Sequence, residues 1–150
     1  MNKKTVVITS MYANPIHPGH IDCCELAKEL GDELWVIVNN DRQAELKRNC
    51  PSFQNQHFRI RVIQALKPVD KAILSIDTDA SVCATLRLIL SELQADSSVG
   101  KIIFAKGGDR FAYEIPEREV LKEYAVTIID GLGEKKYSSS DYAYRAGDRL

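Results

Sequence analysis

The chain has 150 residues, of which 45% are hydrophobic and 27% are charged, and its formal net charge at pH 7 is −1. This length suits one domain over residues 1–150, and the near-neutral charge excludes the broad basic surface that nucleic-acid binding needs. No apolar stretch approaches the roughly 20 residues that cross a bilayer, so no membrane partner is expected. The four cysteines form no C-x-x-C pair and no signal-peptide core precedes the first apolar run, which favours a reduced, cytoplasmic protein.

Short apolar runs alternate with helical patterns along the chain. The predicted strands are Val6–Ile8, Leu34–Val38, Ala72–Leu74, Ile102–Phe104 and Val126–Ile129. The predicted helices are His20–Leu30, Phe53–Leu66, Ala80–Leu93 and Glu117–Tyr124, followed by a short helix that begins among Ser138, Ser139 and Ser140. Asp77 or Asp79 is expected to begin the third helix. Because continuous Val and Ile runs are typical of strands buried on both faces, this order predicts an α/β fold with a Rossmann-like, doubly wound, five-stranded parallel sheet.

The segment Asn14–His20 joins the first predicted strand to the first helix. It places His17, Gly19 and His20 at a helix N-terminus, where unpaired N–H groups and the helix dipole favour phosphate. In doubly wound sheets, ligands bind beyond the carboxyl ends of the strands, where this segment lies. Two histidines three residues apart could also bind a metal, or His17 could only cap a turn. No cysteine or nearby third histidine completes a metal set, so phosphate binding is favoured.

His17-Pro18-Gly19-His20 resembles the H-x-G-H signature of the nucleotidyltransferase superfamily of cytidylyltransferases and adenylyltransferases. Val38-Asn39-Asn40-Asp41 resembles the V-N-S-D strand end of sugar-phosphate nucleotidyltransferases, and Lys47 follows where such enzymes place a phosphate-binding lysine. Arg59, with Ala65–Asp70, resembles the family helix R-x-x-x-x-x-A-L-x-x-V-D.

Two later segments extend the resemblance over nearly the whole chain. Lys106-Gly107-Gly108-Asp109 resembles a K-G-G-D turn of heptose-phosphate adenylyltransferases, and Ser138-Ser139-Ser140 resembles the second family signature, I-S-S-T-x-I-R. The chain departs from the usual G-x-F-D-x-x-H-x-G-H pattern, and it lacks the arginine of the second signature. The differing positions are Met11, Ala13, Asn14 and Ala143.

The resemblance implies a nucleotidyltransferase that moves a nucleoside monophosphate from ATP or CTP to a small phosphate monoester and releases pyrophosphate. The acceptor would be a sugar or polyol phosphate, and the compact length also suits glycerol-3-phosphate cytidylyltransferases. A phosphate is already a competent nucleophile, so in-line attack needs no covalent intermediate, and catalysis consists of positioning and charge stabilisation. Mg²⁺ is expected with the triphosphate, held by substrate and water, with no metal site of the protein's own.

The resemblance also implies the residues of the site. The catalytic residues would be His17, His20 and Lys47. The nucleotide- or phosphate-binding residues would be Tyr12, Asn14, Gly19, Arg59, Gly107, Asp109, Ser138, Ser139 and Ser140. Local alternatives are a solvated Lys47, an Arg59 that only pairs with a carboxylate, and an Asp109 that only shapes a turn.

Two other functions stay open. One is a mononucleotide adenylyltransferase of the nicotinamide or flavin type, against which the altered second signature argues. The other is a nucleotide-binding sensor that has lost catalysis, which the departures support and the two retained histidines oppose. A sensor would bind nucleotide without releasing pyrophosphate. At the family level, a homodimer is also expected.

Overall fold

The computed structural model describes residues 3–107 and 115–132, so the helix predicted at Ser138 to Ser140 lies outside the described residues. The elements in chain order are β1 (Lys4–Met11), α1 (Pro18–Lys28), β2 (Glu33–Val38), α2 (Asp41–Arg48), α3 (Gln56–Gln64), β3 (Lys71–Leu74), α4 (Cys83–Ala95), β4 (Val99–Gly107), α5 (Arg118–Glu123) and β5 (Thr127–Leu132). Within the described ranges, no helix combines the length and the apolar character needed to cross a membrane.

The five strands form one parallel sheet in the order β3-β2-β1-β4-β5, which confirms the predicted fold class. The chain runs outward from β1 through β2 to β3, then returns to the other side of β1 to form β4 and β5. The direction of winding therefore reverses between β1 and β4. In sheets of this kind, the crevice at the carboxyl ends of those two strands is the usual place for a ligand.

The core lies on both faces of the sheet, because successive side chains of a strand point to opposite sides. Val7 faces a cluster with Cys24 and Ala27 of α1 and Ile63 of α3. Its neighbour Ile8 faces the other cluster, which α4 and α5 complete. The members of that second cluster from the two helices are Leu86, Ile89, Leu90, Leu93, Val120 and Leu121. Helices thus cover both faces, as a doubly wound sheet requires.

The helix α2 was not predicted, because its eight residues are mostly polar and carry no apolar stripe. Capping stabilises it instead. The Asn40 side chain accepts from the Gln43 N–H at 2.9 Å, and the Gln43 side chain accepts from the Asn40 N–H at 3.0 Å. At the other end, Asn49 closes the helix in the left-handed conformation, with φ 57°.

Two predicted helices begin later in the chain than their apolar patterns indicate. The helix predicted from Phe53 begins at Gln56, because the Asn55 side chain caps it by accepting from a backbone N–H. The helix predicted from Ala80 begins at Cys83. The Asp77 carboxylate nevertheless accepts from two backbone N–H groups in the first turn of α4, at 2.7 and 3.0 Å. Asp77 thus caps α4 as an acidic residue, although it lies in the loop before the helix and not at its first position.

Candidate active site

The two histidines lie at the start of α1, and their hydrogen bonds form a reciprocal cap. His17 is the N-cap residue, and its Nδ1 accepts from the Gly19 N–H at 3.1 Å. The Nδ1 of His20 accepts in turn from the His17 N–H at 3.1 Å. The centroids of the two rings lie 3.9 Å apart. This reciprocal cap gives both imidazoles a defined orientation at the carboxyl end of β1, as the sequence places them.

The hydrogen bonds of the two rings indicate which ring nitrogen carries the proton, and burial determines whether the rings are charged. A neutral imidazole whose Nδ1 accepts a hydrogen bond carries its proton on Nε2. Burial lowers the pKa of His17. Burial, reinforced by the neighbouring His17 and Lys47, lowers the pKa of His20 to about 3. Near pH 7 the pair therefore consists of neutral Nε2–H donors, which can bind phosphate oxygens without carrying a positive charge.

Lys47 brings positive charge to the site from α2. Its Nζ lies 4.4 Å from the centroid of the Tyr12 ring, at the end of β1. Its charge also contributes to the lowered pKa of His20, after burial and His17, which places it near the His20 imidazole. Tyr12 is half-buried, and burial raises the pKa of its phenol. The structure thus brings together Tyr12, Lys47 and the two histidines.

Asn14 lies in the loop that leads from β1 to the histidines, and it is 2% exposed. Its side-chain oxygen accepts from the Gln54 N–H at 2.8 Å, and its amide nitrogen donates to the Ser52 hydroxyl at 3.2 Å. The Arg48 guanidinium donates to its backbone carbonyl at 2.6 Å. These contacts tie two loops together. A contact between Asn14 and a nucleotide stays a prediction.

Arg59 is also buried, at 1% exposure, and its described hydrogen bonds all go to the chain itself. The guanidinium donates to the carbonyls of Gln54, Tyr12 and Asn39 at 2.9, 2.8 and 2.7 Å. It also pairs with the Asp41 carboxylate at 2.9 Å. Because the arginine side chain has five N–H donors, these bonds use most of its capacity. Its predicted contact with substrate stays a prediction.

The end of β4 lies against the helix that carries the histidines. A methyl group built on Gly107 would come within 2.9 Å of the Cys23 sulfur in α1, so the absence of a side chain allows this close approach. Gly107 therefore lies near the crevice between β1 and β4, where the sequence predicts a binding turn. Asp109, Ser138, Ser139 and Ser140, the remaining predicted site residues, lie outside the described residues.

Two buried polar side chains near the site were not predicted from the sequence. Gln43 is fully buried and donates to the carbonyls of Asp79 and Ser81, at 2.8 and 2.7 Å. Its spacing from Asn40 is that of a capping box, a signal that could have found both α2 and Gln43. Arg48 has no comparable signal, since a polar run around it is typical of a solvated surface.

A groove of about 440 Å³ lies along α2, outside the group of residues described above. It is lined by Arg42, Glu45, Leu46, Asn49, Cys50 and Pro51. At 100° per residue, this face of α2 points away from the face that carries Lys47. The groove is therefore separate from the histidine site. We do not assign the reaction to it, because the two histidines and Lys47 lie outside it.

Paired imidazoles and a lysine lie at the carboxyl edge of a doubly wound parallel sheet, an arrangement of an α/β protein suited to binding phosphate groups. The chain belongs to the Cytidylyltransferase-like family, whose model matches residues 12–143.

Curated relatives match shorter segments. The chain is 52% identical to an FAD synthase of Archaeoglobus profundus over 64 residues, which cover 43% of this chain and 40% of the relative. It is 45% identical to an FAD synthase of Ferroglobus placidus over 76 residues, which cover 51% of this chain and 48% of the relative. The matches thus span about half the length of these relatives.

Two solved structures share the architecture. A lipopolysaccharide core biosynthesis protein from Thermoplasma volcanium has a TM-score of 0.65 and 25% identity, covering 90% of this chain and 99% of that chain. A bifunctional NMN adenylyltransferase/ADP ribose pyrophosphatase from Francisella tularensis has a TM-score of 0.58 and covers 100% of this chain and 44% of that chain. At 11% identity, the second likeness shows the fold alone.

Proposed function

We propose that this chain is a flavin adenylyltransferase, which joins the AMP moiety of ATP to the phosphate of FMN and releases pyrophosphate. The relatives named FAD synthase support this acceptor, with identities of 52% and 45% over the matched segments. They favour the flavin alternative over the sugar or polyol phosphate first expected. FMN is itself a phosphate monoester, so the class of reaction is the one that the sequence motifs imply.

The observation that carries the proposal is the pair of oriented imidazoles beside Lys47. In the proposed reaction, an oxygen of the FMN phosphate attacks the α-phosphorus of ATP. The bond from that phosphorus to the bridging oxygen breaks, and pyrophosphate leaves with the electron pair. The Nε2–H groups of His17 and His20 would donate to phosphate oxygens as negative charge moves towards the leaving group, and Lys47 would neutralise part of that charge.

The same arrangement explains why no general base is required. The FMN phosphate is an anion near pH 7, so it attacks without first losing a proton to the protein. What the protein must supply is alignment of the two substrates and donors that are already oriented. The reciprocal hydrogen bonds between His17 and the first turn of α1 supply that orientation before any substrate binds.

Mg²⁺ enters the proposal as an ion carried by the triphosphate, whose charge it would reduce. Within residues 3–107 and 115–132, no cluster of three or more His, Cys, Asp or Glu side chains could hold a metal. Lys47 and the imidazole N–H donors are suited to phosphate oxygens, and in this proposal the triphosphate and water would hold the ion.

A pyrophosphate-release assay with Mg²⁺ tests the function. ATP and CTP are each combined with FMN, NMN, a heptose phosphate and glycerol 3-phosphate, and flavin fluorescence reports FAD formation separately. We expect release with ATP and FMN only. His17→Asn should lower it about 100-fold, because asparagine preserves the helix cap but removes the imidazole donor. His57→Asn, on the exposed side of α3, is the matched control.

Each other outcome has a defined meaning. Release with a different acceptor would overturn the flavin assignment and keep the transferase. Nucleotide binding by calorimetry without release from any pair would favour the sensor alternative.

A further inference from the structure

The turn between β1 and the histidines contains an unfavourable backbone conformation. Ala13, at its centre, has φ 49°, a left-handed value that crowds the Cβ of any residue except glycine. Ala13 is also buried, at 2% exposure. A conformation of this kind persists only where surrounding contacts hold it. The residues that hold this turn therefore control the start of the segment that leads to the histidines.

Two arginines from different helices hold the turn on its two sides. Arg59 of α3 donates to the Tyr12 carbonyl at 2.8 Å, and Arg48 of α2 donates to the Asn14 carbonyl at 2.6 Å. These carbonyls flank Ala13 directly. The two guanidinium-bearing residues are 1% and 8% exposed. Hydrogen bonds from charged donors to buried carbonyls are stronger than neutral ones, so the two arginines are suited to holding a strained turn.

Arg59 connects the same turn to the element that carries Lys47. Its guanidinium also donates to the Asn39 carbonyl at 2.7 Å and pairs with Asp41, the first residue of α2, at 2.9 Å. One planar group thus bonds the end of β1, the end of β2 and the start of α2. The distance of 4.4 Å between the Lys47 nitrogen and the Tyr12 ring spans the two segments that Arg59 joins.

We propose that Arg59 and Arg48 are positioning residues of the proposed adenylyl transfer, which hold the left-handed turn at Ala13 and thereby set Lys47 against Tyr12 beside the histidines. They act on the turn directly, since Arg59 donates to the Tyr12 carbonyl and Arg48 donates to the Asn14 carbonyl. At position 59 arginine is required, because one guanidinium reaches the Gln54, Tyr12 and Asn39 carbonyls and the Asp41 carboxylate in fixed directions, whereas the single nitrogen of lysine cannot. The effect on rate rests on the proposed function, but the effect on geometry does not.

The test compares Arg59→Lys and Arg48→Lys with Arg61→Lys, an exposed arginine on α3, in the full chain. The first readout is NMR. Ring current from Tyr12 should shift the Lys47 methylene signals upfield in the wild type and in Arg61→Lys. In Arg59→Lys these signals should return towards the values of a free lysine. The imidazoles of His17 and His20 should also lose their single Nε2–H tautomer.

The second readout is kinetic. In Arg59→Lys, kcat for pyrophosphate release should fall about tenfold or more, while KM for ATP stays within about threefold, because alignment is lost and the donors remain. Adding Ala13→Gly should restore part of the ring-current shift and of kcat, since glycine adopts the left-handed turn without being held. A general packing defect would not be rescued by that change.

The outcomes separate the two proposals. Unchanged Lys47 shifts in both Arg59→Lys and Arg48→Lys would overturn the inference, even if activity falls. Lost shifts that Ala13→Gly fails to restore would also overturn it. If the wild type releases no pyrophosphate, the proposed function fails, but the NMR comparison still decides the positioning role. If Arg59→Lys does not fold, Arg48→Lys with and without Ala13→Gly supplies the same comparison.

Discussion

At the scale of single residues, the charge that the described site offers to a phosphate comes from Lys47, because both imidazoles beside it are neutral near pH 7. Lys47→Met should lower kcat for pyrophosphate release about 100-fold, since a preorganised charge is removed from the transition state. The free energy of unfolding should fall by no more than about 1 kcal/mol, because Lys47 is exposed and the contact it loses is a cation–π pair with Tyr12.

The control for this change is Lys67→Met, an exposed lysine outside the site. A second readout is the pKa of His20, which burial, His17 and Lys47 all lower. Without the Lys47 charge that pKa should rise, as an NMR titration would report. Equal kcat in the two lysine variants would show that Lys47 takes no part in the reaction.

Residue types in motifs predicted which side chains gather at one end of the sheet, and the roles of these side chains towards substrate stay predictions. His17, His20, Lys47 and Tyr12 do come together. Arg59 lies in its motif as predicted, yet its described bonds go to three backbone carbonyls and one carboxylate. The sequence shows that an arginine is present, whereas its burial depends on how α3 packs beneath two loops.

At the scale of elements, the packing of β4 against α1 depends on Gly107. Gly107→Ala should lower the free energy of unfolding by about 1–3 kcal/mol, because the new methyl group meets the Cys23 sulfur at 2.9 Å. Cys23→Ala removes that sulfur. The double variant should therefore be more stable than the sum of the two single changes implies, as urea unfolding would show.

Cys50→Ala is the matched control for this cycle, since Cys50 follows α2 and is not among the atoms near Gly107. Its effect should simply add to that of Gly107→Ala. Strict additivity with Cys23→Ala as well would mean that the contact between β4 and α1 is not the source of the loss.

Elements with a periodic apolar pattern were predicted, and the one without such a pattern was not. The strands β1, β2 and β4 and the helices α1, α3, α4 and α5 bury apolar side chains, and β3 and β5 pack partly buried ones against the two clusters. By contrast, α2 buries Gln43, Ala44 and Arg48 and depends on hydrogen-bonded caps. Hydrophobic spacing cannot reveal a helix whose buried side chains are mostly polar, although a capping pattern can.

At the scale of the whole molecule, the two histidines make stability depend on pH. Their pKa values are lowered in the folded state, to about 3 for His20, while an unfolded histidine has a pKa of about 6.5. The unfolded chain therefore binds protons first as the pH falls. The free energy of unfolding should be fully retained above pH 6.5 and should decline as the pH falls from there towards 3.

Urea unfolding at pH 7, 6 and 5 measures this decline, which is at most about 1.4 kcal/mol per pH unit for one proton. His20→Gln should show a shallower decline than the wild type, because one of the two groups is gone. His57→Gln, on the exposed side of α3, controls for the loss of a histidine as such. Identical slopes in the wild type and His20→Gln would contradict the lowered pKa of His20.

The sequence by itself determined the parallel sheet and the placement of His17, Gly19 and His20 at a helix start, because both follow from periodic or adjacent residues. Only the tertiary structure decided the partners of the buried arginines. Arg48 and Asn14 are 34 positions apart in the chain, and Arg59 and Tyr12 are 47 apart. Such pairs meet because the crossover connections bring the carboxyl ends of β1 and β2 to one edge of the sheet, and no local pattern encodes that meeting.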